Sequence, residues 1–405
     1  MTLGAIATVA MTLMLAGWSG SSAYEAKTRT SHRAVSSGVE WSVVPSINLG
    51  SASTSNTLSS VSCVSATSCM AVGETDYKSG AVVNLAESWR RSFYLVKVLQ
   101  PGPSVALGNV SCVSSDSCFV LGLTANAITA FANWRNTSST KWSLLPGGNN
   151  IDLVALSCPA ATRCVAVGFG GQGTLRKTLV ESWSGKRWSV VRTPNRGPSH
   201  DYDDLNSVSC ASPRFCVAVG TYGLQIRTRL SSSKTLVEMW NGTRWSVVAS
   251  RNAGPPSDFD SLNSVACYSP TFCIAVGSYA NYGGAIERTL VEHWNGRAWS
   301  IMRSPNRGGV YGAEDELNGV ACSSPHQCVA VGDYQSGPGD QFHETLVESW
   351  SGARWTLDTS AVGGSPSDAS LVSVSCATAA SCVAVGDIRA GLTEPYQTLV
   401  EMQRT

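Results

Sequence analysis

Residues 205–220 read LNSVSCASPRFCVAVG, and similar stretches begin at Leu262 (LNSVACYSPTFCIAVG), Leu317 (LNGVACSSPHQCVAVG) and Leu371 (LVSVSCATAASCVAVG). Looser copies begin at residues 58, 107 and 153. In every copy the second cysteine lies six positions after the first, and the seven pairs account for all 14 cysteines. Successive first cysteines are 46 (158 − 112) to 57 (267 − 210) residues apart, so the chain is built of repeats.

A second block follows the first in each unit, as in TLVESWSGKRWSVV from Thr178 and TLVEMWNGTRWSVV from Thr235. Each unit therefore holds four short stretches, L-x-x-V-x-C, C-V-A-V-G, T-L-V-E-x-W and W-S-V-V. Small and β-branched residues bounded by Gly, Pro, Asn and Ser are typical of strands and turns. Four strands in a unit of this length predict an all-β fold, a seven-bladed β-propeller with four antiparallel strands per blade.

The two ends of the chain complement each other. The last unit stops at Thr398-Leu399-Val400-Glu401-Met402 without a W-S-V-V stretch, whereas a spare copy lies at residues 41–44. We expect this N-terminal strand to complete the last blade and close the ring, because closure leaves no unpaired sheet edge. A solenoid would instead favour distinct caps.

The chain before the repeats predicts export. Residues 1–26 resemble a signal peptide, since Met1 to Leu15 is apolar, too short for a membrane span, and followed by small residues. A buried N-terminal helix is the alternative. Trp18 occupies the place of the lipidated cysteine in a lipoprotein box, which favours release. We assign residues 27–40 to a Ser/Thr-rich linker and 41–405 to the propeller, and expect a secreted, extracellular protein.

The cysteine spacing predicts disulfides within each unit, because paired strands on either side of a five-residue turn bring the two cysteines together. Metal binding is the alternative, but no histidine recurs beside the pairs as a zinc site would need. Fourteen paired cysteines also indicate an oxidising compartment. The predicted pairs are Cys63 and Cys69, Cys112 and Cys118, Cys158 and Cys164, Cys210 and Cys216, Cys267 and Cys273, Cys322 and Cys328, and Cys376 and Cys382.

Composition excludes several classes of protein. The formal net charge is +1 and 14% of residues are charged, which argues against nucleic-acid binding, since phosphate recognition needs clustered Lys and Arg. The low share of charged residues (14%) and the aromatic content of 8% argue against a disordered chain. Beyond the first residues no stretch is long and apolar enough to span a membrane. We also expect the protein to be a monomer.

Residues that recur at the same place in most units are interpreted as structural. Tryptophan pairs such as Trp240 and Trp245 can stack across a hairpin. The glutamate of T-L-V-E recurs six times, whereas a catalytic acid stands in one place, and Arg187, Arg244 and Arg354 could neutralise it. The small residues of the first strand have a packing reason near the axis, and they need not be nucleophiles.

The variable segments predict where a ligand binds. Loops between second and third strands, and the connections between blades, vary in length and are rich in Tyr, Phe, Asp, Glu and Asn. They share one face of the disc, opposite the cysteine turns, and binding residues often lie on such loops. Aromatic and carboxylate groups suit hydroxyl-rich ligands, and carboxylates could hold Ca²⁺, although no motif supports an ion. The candidate ligand-binding residues are Tyr202, Asp203, Phe259, Asp260, Tyr279, Tyr282, Tyr311, Asp315 and Tyr334.

Residues 41–405 resemble bacterial secreted seven-bladed β-propellers. The W-S-G-x-x-W turn, as in Gly185-Lys186-Arg187-Trp188, is similar to a shortened Asp-box of sialidase-type propellers, but its aspartate is missing. The first strands also lack the arginines of a sialidase, so that activity is not implied. The resemblance implies a fold and a secreted protein, and a propeller fold fixes no activity.

Two functions compete. A non-enzymatic protein could bind a glycan or an extracellular protein through the variable loops; alternatively, a secreted glycoside hydrolase or lyase could act at the channel mouth. The enzyme needs an acid–base pair that breaks the repeat. Of the five histidines, only His200 and His343 fall on the variable face, and the sequence carries no catalytic motif, so we favour binding.

Overall fold

The computed structural model describes residues 39–404 apart from 52, 78–81, 91–104, 125–128, 136–137, 140–142, 147–150, 173–174, 197–201, 227–228, 256–258, 282–285, 308–313, 336–340 and 363–366. The predicted signal peptide, and all of the predicted linker except Val39 and Glu40, lie outside these residues. Every described regular element is a β-strand, and the sheets are arranged as a β-propeller, which confirms the predicted all-β propeller fold. No helix among the described residues is long and apolar enough to cross a bilayer.

The strands form antiparallel sheets that we number in chain order. Sheet 1 contains β2 (Ser55–Ser65), β3 (Ser68–Asp76) and β4 (Val82–Arg90). Sheet 2 contains β5 (Val105–Ser114), β6 (Ser117–Thr124), β7 (Thr129–Arg135), β8 (Ser138–Ser139) and β9 (Ser143–Leu144). Sheet 3 contains β10 (Ile151–Ala160), β11 (Arg163–Gln172), β12 (Leu175–Trp183) and β13 (Trp188–Val191).

The later units are more regular. Sheet 4 contains β14 (Tyr202–Ser212), β15 (Phe215–Ile226), β16 (Arg229–Trp240) and β17 (Trp245–Val247). Sheet 5 contains β18 (Asp260–Ser269), β19 (Phe272–Asn281), β20 (Ile286–Trp294) and β21 (Trp299–Met302). Sheet 6 contains β22 (Glu314–Ser324), β23 (Gln327–Gln335), β24 (Glu344–Trp350) and β25 (Trp355–Leu357). Sheet 7 contains β26 (Asp368–Thr378), β27 (Ser381–Arg389), β28 (Gln397–Arg404) and the N-terminal β1 (Glu40–Val43).

A bulge near the start of each first strand explains the glycine of V-A-V-G. In sheet 4 the register passes from Leu205 opposite Gly220 to Ser207 opposite Val219, so Asn206 is the extra residue. A Cβ on Gly220 would lie 2.1 Å from the carbonyl oxygen of Asp204. Only glycine fits so close to a backbone carbonyl, and the glycines at 73, 168, 277, 332 and 386 meet the same obstacle.

The small residues of the first strands join neighbouring sheets by hydrogen bonds. The Ser207 hydroxyl accepts a bond of 3.2 Å from the amide of Val265, and the Ser209 hydroxyl accepts one of 2.9 Å from the amide of Cys267. The same contact recurs around the axis, so these serines are structural acceptors, as the sequence interpretation allowed. The equivalent acceptors are Ser60, Ser62, Asn109, Ser111, Ser157, Ser264, Ser373 and Ser375.

The hydrophobic core lies between adjacent sheets. Trp299 is 2% exposed and packs with Val217, Val237 and Trp294, which joins sheets 4 and 5. The two indoles of a unit lie across the hairpin, with ring centroids 5.8 Å apart for Trp294 and Trp299. The packing role predicted for these tryptophans is confirmed, because the second ring of each described pair is buried.

The predicted disulfides are confirmed. Each links the two cysteines of one unit, with Cα atoms 3.9–4.0 Å apart. The register places Cys210 directly opposite Cys216, and no cysteine is free. The disulfide therefore links the end of the first strand to the start of the second strand.

Strand β1 pairs antiparallel with β28, so that Trp41 lies opposite Gln403 and Val43 opposite Glu401. The backbone amide of Trp41 also donates to the carbonyl of Thr359, just after β25. Strand β1 therefore contacts both sheet 6 and sheet 7.

Candidate functional site

The two ends of the strands differ in chemistry. The disulfide turns and the W-x-G-x-x-W hairpins lie at one end, which we call the disulfide face. At the opposite end the second strands finish, the third strands begin and the connections between sheets arrive; we call it the variable face. Glycines at the hairpins of the disulfide face have positive φ, as at Gly242 (94°), which fixes one turn in unit after unit.

The repeated glutamate holds the connection that arrives from the preceding sheet. Glu292 accepts bonds from the Ser250 hydroxyl (2.7 Å) and the Arg251 amide (3.3 Å), and Glu401 accepts bonds from the Ser360 hydroxyl (2.8 Å) and the Ala361 amide (3.2 Å). Burial raises the pKa of Glu292 to about 7, against the lowering effect of these bonds. The glutamate is a structural acceptor.

The predicted arginine partners of this glutamate are wrong for Arg244 and Arg354. Both lie exposed in the hairpin turn, whereas Glu238 and Glu348 are fully buried. Glu238 is hydrogen-bonded to Thr193, and Glu348 accepts bonds from Ser304 (2.7 and 2.9 Å). Hydroxyl groups satisfy a buried carboxyl without burying a second long side chain.

Three of the predicted ligand-binding carboxylates lie inside the protein. Asp203 forms an ion pair with Lys177 (2.9 Å) and accepts a bond from the Arg196 amide. Asp260 forms one with Lys234 (2.7 Å) and accepts bonds from two backbone amides. Asp315 is equally buried and accepts a bond from the amide of residue 307. These side chains order the connections between sheets, below the surface that a ligand would touch.

The predicted aromatic residues divide into two sets. Tyr334 is buried, donates to Glu344 (2.6 Å) and packs in the core between sheets 5 and 6. Tyr202, Phe259 and Tyr279 are half-buried at the variable face, and burial raises the pKa of Tyr202 to about 12. Tyr282 and Tyr311 fall outside the described residues, as does His200. A ligand can therefore reach Tyr202, Phe259 and Tyr279 at most in part.

The side chains at the edge of the variable face differ from sheet to sheet. The residue after V-A-V-G is Phe169 in sheet 3, Thr221 in sheet 4 and Asp333 in sheet 6. Two positions before T-L-V-E the chain carries Arg176, Ser233, Glu287, His343 and Tyr396 in sheets 3 to 7. By contrast, the residues at the centres of these strands scarcely vary between units. The repeat is therefore diversified at this edge.

One cluster at this edge joins sheets 6 and 7, and we call it the His343 cluster. It comprises Asp333, Gln335, His343, Asp368 and Arg389. The Nδ1 atom of His343 lies 3.1 Å from Oδ1 of Asp368, which also accepts a bond of 2.8 Å from the His343 amide. The Nε2 atom lies 3.9 Å from Oδ2 of Asp333 and 3.2 Å from Nε2 of Gln335. Arg389 approaches the other oxygen of Asp368 at 2.6 Å.

The carboxyl groups of this cluster differ in acidity. The pKa of Asp368 is lowered: burial raises it, but bonds from His343 and Arg389 together outweigh burial. The pKa of Asp333 is raised by burial. Nearby, burial and the charge of Glu287 raise the pKa of Glu316 to about 7. Sheets 6 and 7 therefore place an ionised carboxylate, Asp368, and a carboxyl group of raised pKa, Asp333, beside one histidine.

Among the described residues, no group of three or more His, Cys, Asp or Glu side chains is arranged to hold a metal ion. The carboxylates named for Ca²⁺ accept bonds from lysines and backbone amides instead. Calcium binding therefore stays an untested prediction, with no such group of side chains among the described residues.

His343 was placed on the variable face from the sequence, whereas its partners Asp333, Asp368 and Arg389 were not among the predicted site residues. A signal was present in the sequence, because all three residues occupy positions that differ between units. Asp333 is the first residue after V-A-V-G, Asp368 lies three residues before the leucine of L-x-x-V-x-C, and Arg389 lies three residues after V-A-V-G. Only the sheet register shows that they converge.

No family model and no curated protein matches the chain. Among solved structures, YCF48 bound to a D1 peptide is similar at 12% identity with a TM-score of 0.50, covering 90% of this chain and 97% of that one. An ulvan lyase bound to -[GlcA(1-4)Rha3S]- is similar at 8% identity with a TM-score of 0.53, covering 81% and 89%. These likenesses show the propeller fold alone, and the matches include a peptide-bound protein as well as an enzyme.

Proposed function

We propose that this protein is a secreted, non-enzymatic binding protein that recognises a glycan or an extracellular protein through the variable face. The observation that carries the proposal is the diversification of that edge on an otherwise repetitive scaffold. Selection for packing alone would keep one residue at each position, as it does for the glycine of V-A-V-G. Loops and edges on a rigid frame are where binding residues are usually placed.

The edge also offers suitable chemistry. Arg176 is exposed over the ring of Phe169, 4.3 Å from its centroid, and presents a cation and an aromatic face in sheet 3. Sheets 6 and 7 present Glu316 and the His343 cluster, which supply carboxyl, amide and imidazole groups. Hydroxyl groups of a glycan, or polar side chains of a protein, can form hydrogen bonds with both of these groups of residues.

The test is binding to a glycan array and to candidate extracellular proteins. We expect His343→Ala and Glu316→Gln, and to a smaller extent Tyr202→Ala and Phe259→Ala, to reduce the signal. Tyr268→Ala is the matched control, because Tyr268 is 51% exposed on the disulfide face. Signal that survives the first two changes, or disappears in the control, would overturn the proposal.

A secreted hydrolase or lyase is the second candidate, and one observation favours it. Asp368 holds the ring and the backbone of His343, so that Nε2 points toward Asp333, a carboxyl group of raised pKa. An oriented histidine beside a protonatable carboxyl is a general acid–base arrangement. Turnover of a polysaccharide that His343→Ala and Asp368→Asn both abolish would place this candidate first.

We also propose that the ring has seven blades and is closed by the N-terminal strand. Two observations support this. The first strands contact one another in the order β2, β5, β10, β14, β18, β22 and β26, and β26 contacts β2. Strand β1 takes the outer place beside β28. Seven disulfides support an extracellular location, since such bonds persist in oxidising compartments.

A further inference from the structure

The junction between sheets 6 and 7 departs from the repeat at the disulfide face. The first tryptophan of the hairpin is Trp240 in sheet 4 and Trp294 in sheet 5, where each faces the second tryptophan across the strands. In sheet 7 the same place is taken by Gln403, which lies opposite Trp41. An indole is therefore replaced by a small polar side chain at this junction.

Two further positions at this junction are polar as well. Between sheets 4 and 5, Phe215, Met239 and Trp294 belong to one hydrophobic cluster. The corresponding residues between sheets 6 and 7 are Gln327, Ser349 and Gln403, which are all polar. Polar residues at the first two positions also occur in sheet 3, as Arg163 and Ser182. What sets the junction between sheets 6 and 7 apart is that Gln403 takes the place of the tryptophan beside these polar residues.

A cavity of about 200 Å³ occupies this space. Gln327, Ser349 and Gln403 line it together with Trp350 and Thr356, and none of the described residues in its wall carries a charged side chain. The Oε1 atom of Gln403 is buried and has no hydrogen-bond partner among the described residues. A buried acceptor left unpaired is unfavourable, so a rotation of the Gln403 side chain that brings this oxygen to a ligand donor in the cavity would be stabilising.

We propose that this cavity binds a single neutral pyranose, as a free sugar or the terminal residue of a glycan. The absence of charge in its wall excludes an ionic ligand as the preferred one. Amide and hydroxyl groups can donate to and accept from sugar hydroxyls. The Trp350 indole supplies an apolar face and is fixed by a bond of 3.1 Å from Nε1 to the carbonyl of Pro325. The volume lies below that of sites for drug-sized molecules, which suits one ring.

The site is independent of the proposed function, because it lies on the disulfide face and uses none of the residues of the variable face. The test is saturation-transfer NMR of the full chain with the methyl glycosides of glucose, galactose, mannose and N-acetylglucosamine. We expect at least one to bind with a Kd of about 1 mM, as a ligand of so few atoms allows. Gln403→Trp restores the residue of the other sheets and should abolish the transfer without lowering Tm.

Gln341→Trp is the matched control, since it makes the same substitution at an exposed position and should leave the transfer unchanged. Gln327→Phe fills the cavity from the opposite wall and serves if the first variant does not fold. The proposal is overturned if none of the four glycosides at about 10 mM, tenfold above the expected Kd, shows transfer, or if transfer persists in the filled variants. Transfer that persists there but is lost in His343→Ala would assign the sugar to the variable face instead.

Discussion

The indole Nε1 of Trp41 donates a hydrogen bond of 3.2 Å to Oδ2 of Asp358, which lies 317 residues later in the chain. Asp358 occupies the place that Val248 has in sheet 4, since both amides bond to the valine carbonyl of the neighbouring third strand. By contrast, the Nε1 atoms of Trp299 and Trp355 are buried and have no hydrogen-bond partner among the described residues. The aspartate thus marks the junction that receives the N-terminal strand.

Replacing this aspartate tests the junction. Asp358→Val installs the residue of other units and leaves the Trp41 Nε1 unpaired, so we expect a loss of about 1–3 kcal/mol in the free energy of unfolding. Asp358→Asn keeps an acceptor and should cost less. Urea unfolding measures both, and a valine variant as stable as the native chain would show that the bond contributes nothing.

The strand itself provides a second test. Trp41 is buried among residues of sheets 6 and 7, as Trp299 is between sheets 4 and 5. If β1 is an integral outer strand, Trp41→Ala and Trp299→Ala should each cost about 3–5 kcal/mol. Thermal unfolding of the two variants compares them directly. A near-zero cost for Trp41→Ala alone would mean that the ring is stable without its N-terminal strand.

The repeat made much of the fold predictable. The two cysteines of each unit have the spacing of Cys210 and Cys216, so the disulfide pairs and the order of the strands within a sheet could be predicted from the sequence. The candidate site could be predicted less well from the sequence. Asp203 has the composition of a ligand group, but its bonds to Lys177 and the Arg196 amide depend on how connections pack. His343 and Asp368 belong to different units, and only the three-dimensional arrangement brings them within 3.1 Å.

Stability should fall as pH rises. Burial raises the pKa of Glu238 to about 7 and that of Glu348 to about 8, so the native state holds these protons more tightly than the unfolded chain. Their stabilisation is complete below the ordinary glutamate value of 4.5 and is lost as pH rises through 7 to 8. Asp368, with a lowered pKa, acts in the opposite sense only below 3.8.

We therefore expect Tm to be at least several degrees higher at pH 5 than at pH 8.5, in scans at constant ionic strength. Glu348→Gln cannot ionise and can still accept from Ser304, so it should flatten the profile and raise Tm at the alkaline end. Glu40→Gln, on an exposed side chain, is the control. A Tm that is constant or rises over this range would contradict the burial of ionisable glutamates in the third strands.

The hydrogen bonds between first strands predict both a loss and a gain. Ser209→Ala removes the acceptor of the Cys267 amide and should cost about 1 kcal/mol, or more if water cannot reach the amide. Ala321 occupies the equivalent place in sheet 6, facing the amide of Cys376 in the next strand. Ala321→Ser should supply the missing acceptor and stabilise the protein by about 0.5–1.5 kcal/mol. Other units already carry serine at this place. A rise in the unfolding midpoint of Ala321→Ser would therefore be explained by the added hydrogen bond. Urea titration of the two variants against the native chain decides the matter: if Ala321→Ser is destabilising while Ser209→Ala is neutral, the serines fill space near the axis and their bonds do not hold the sheets together.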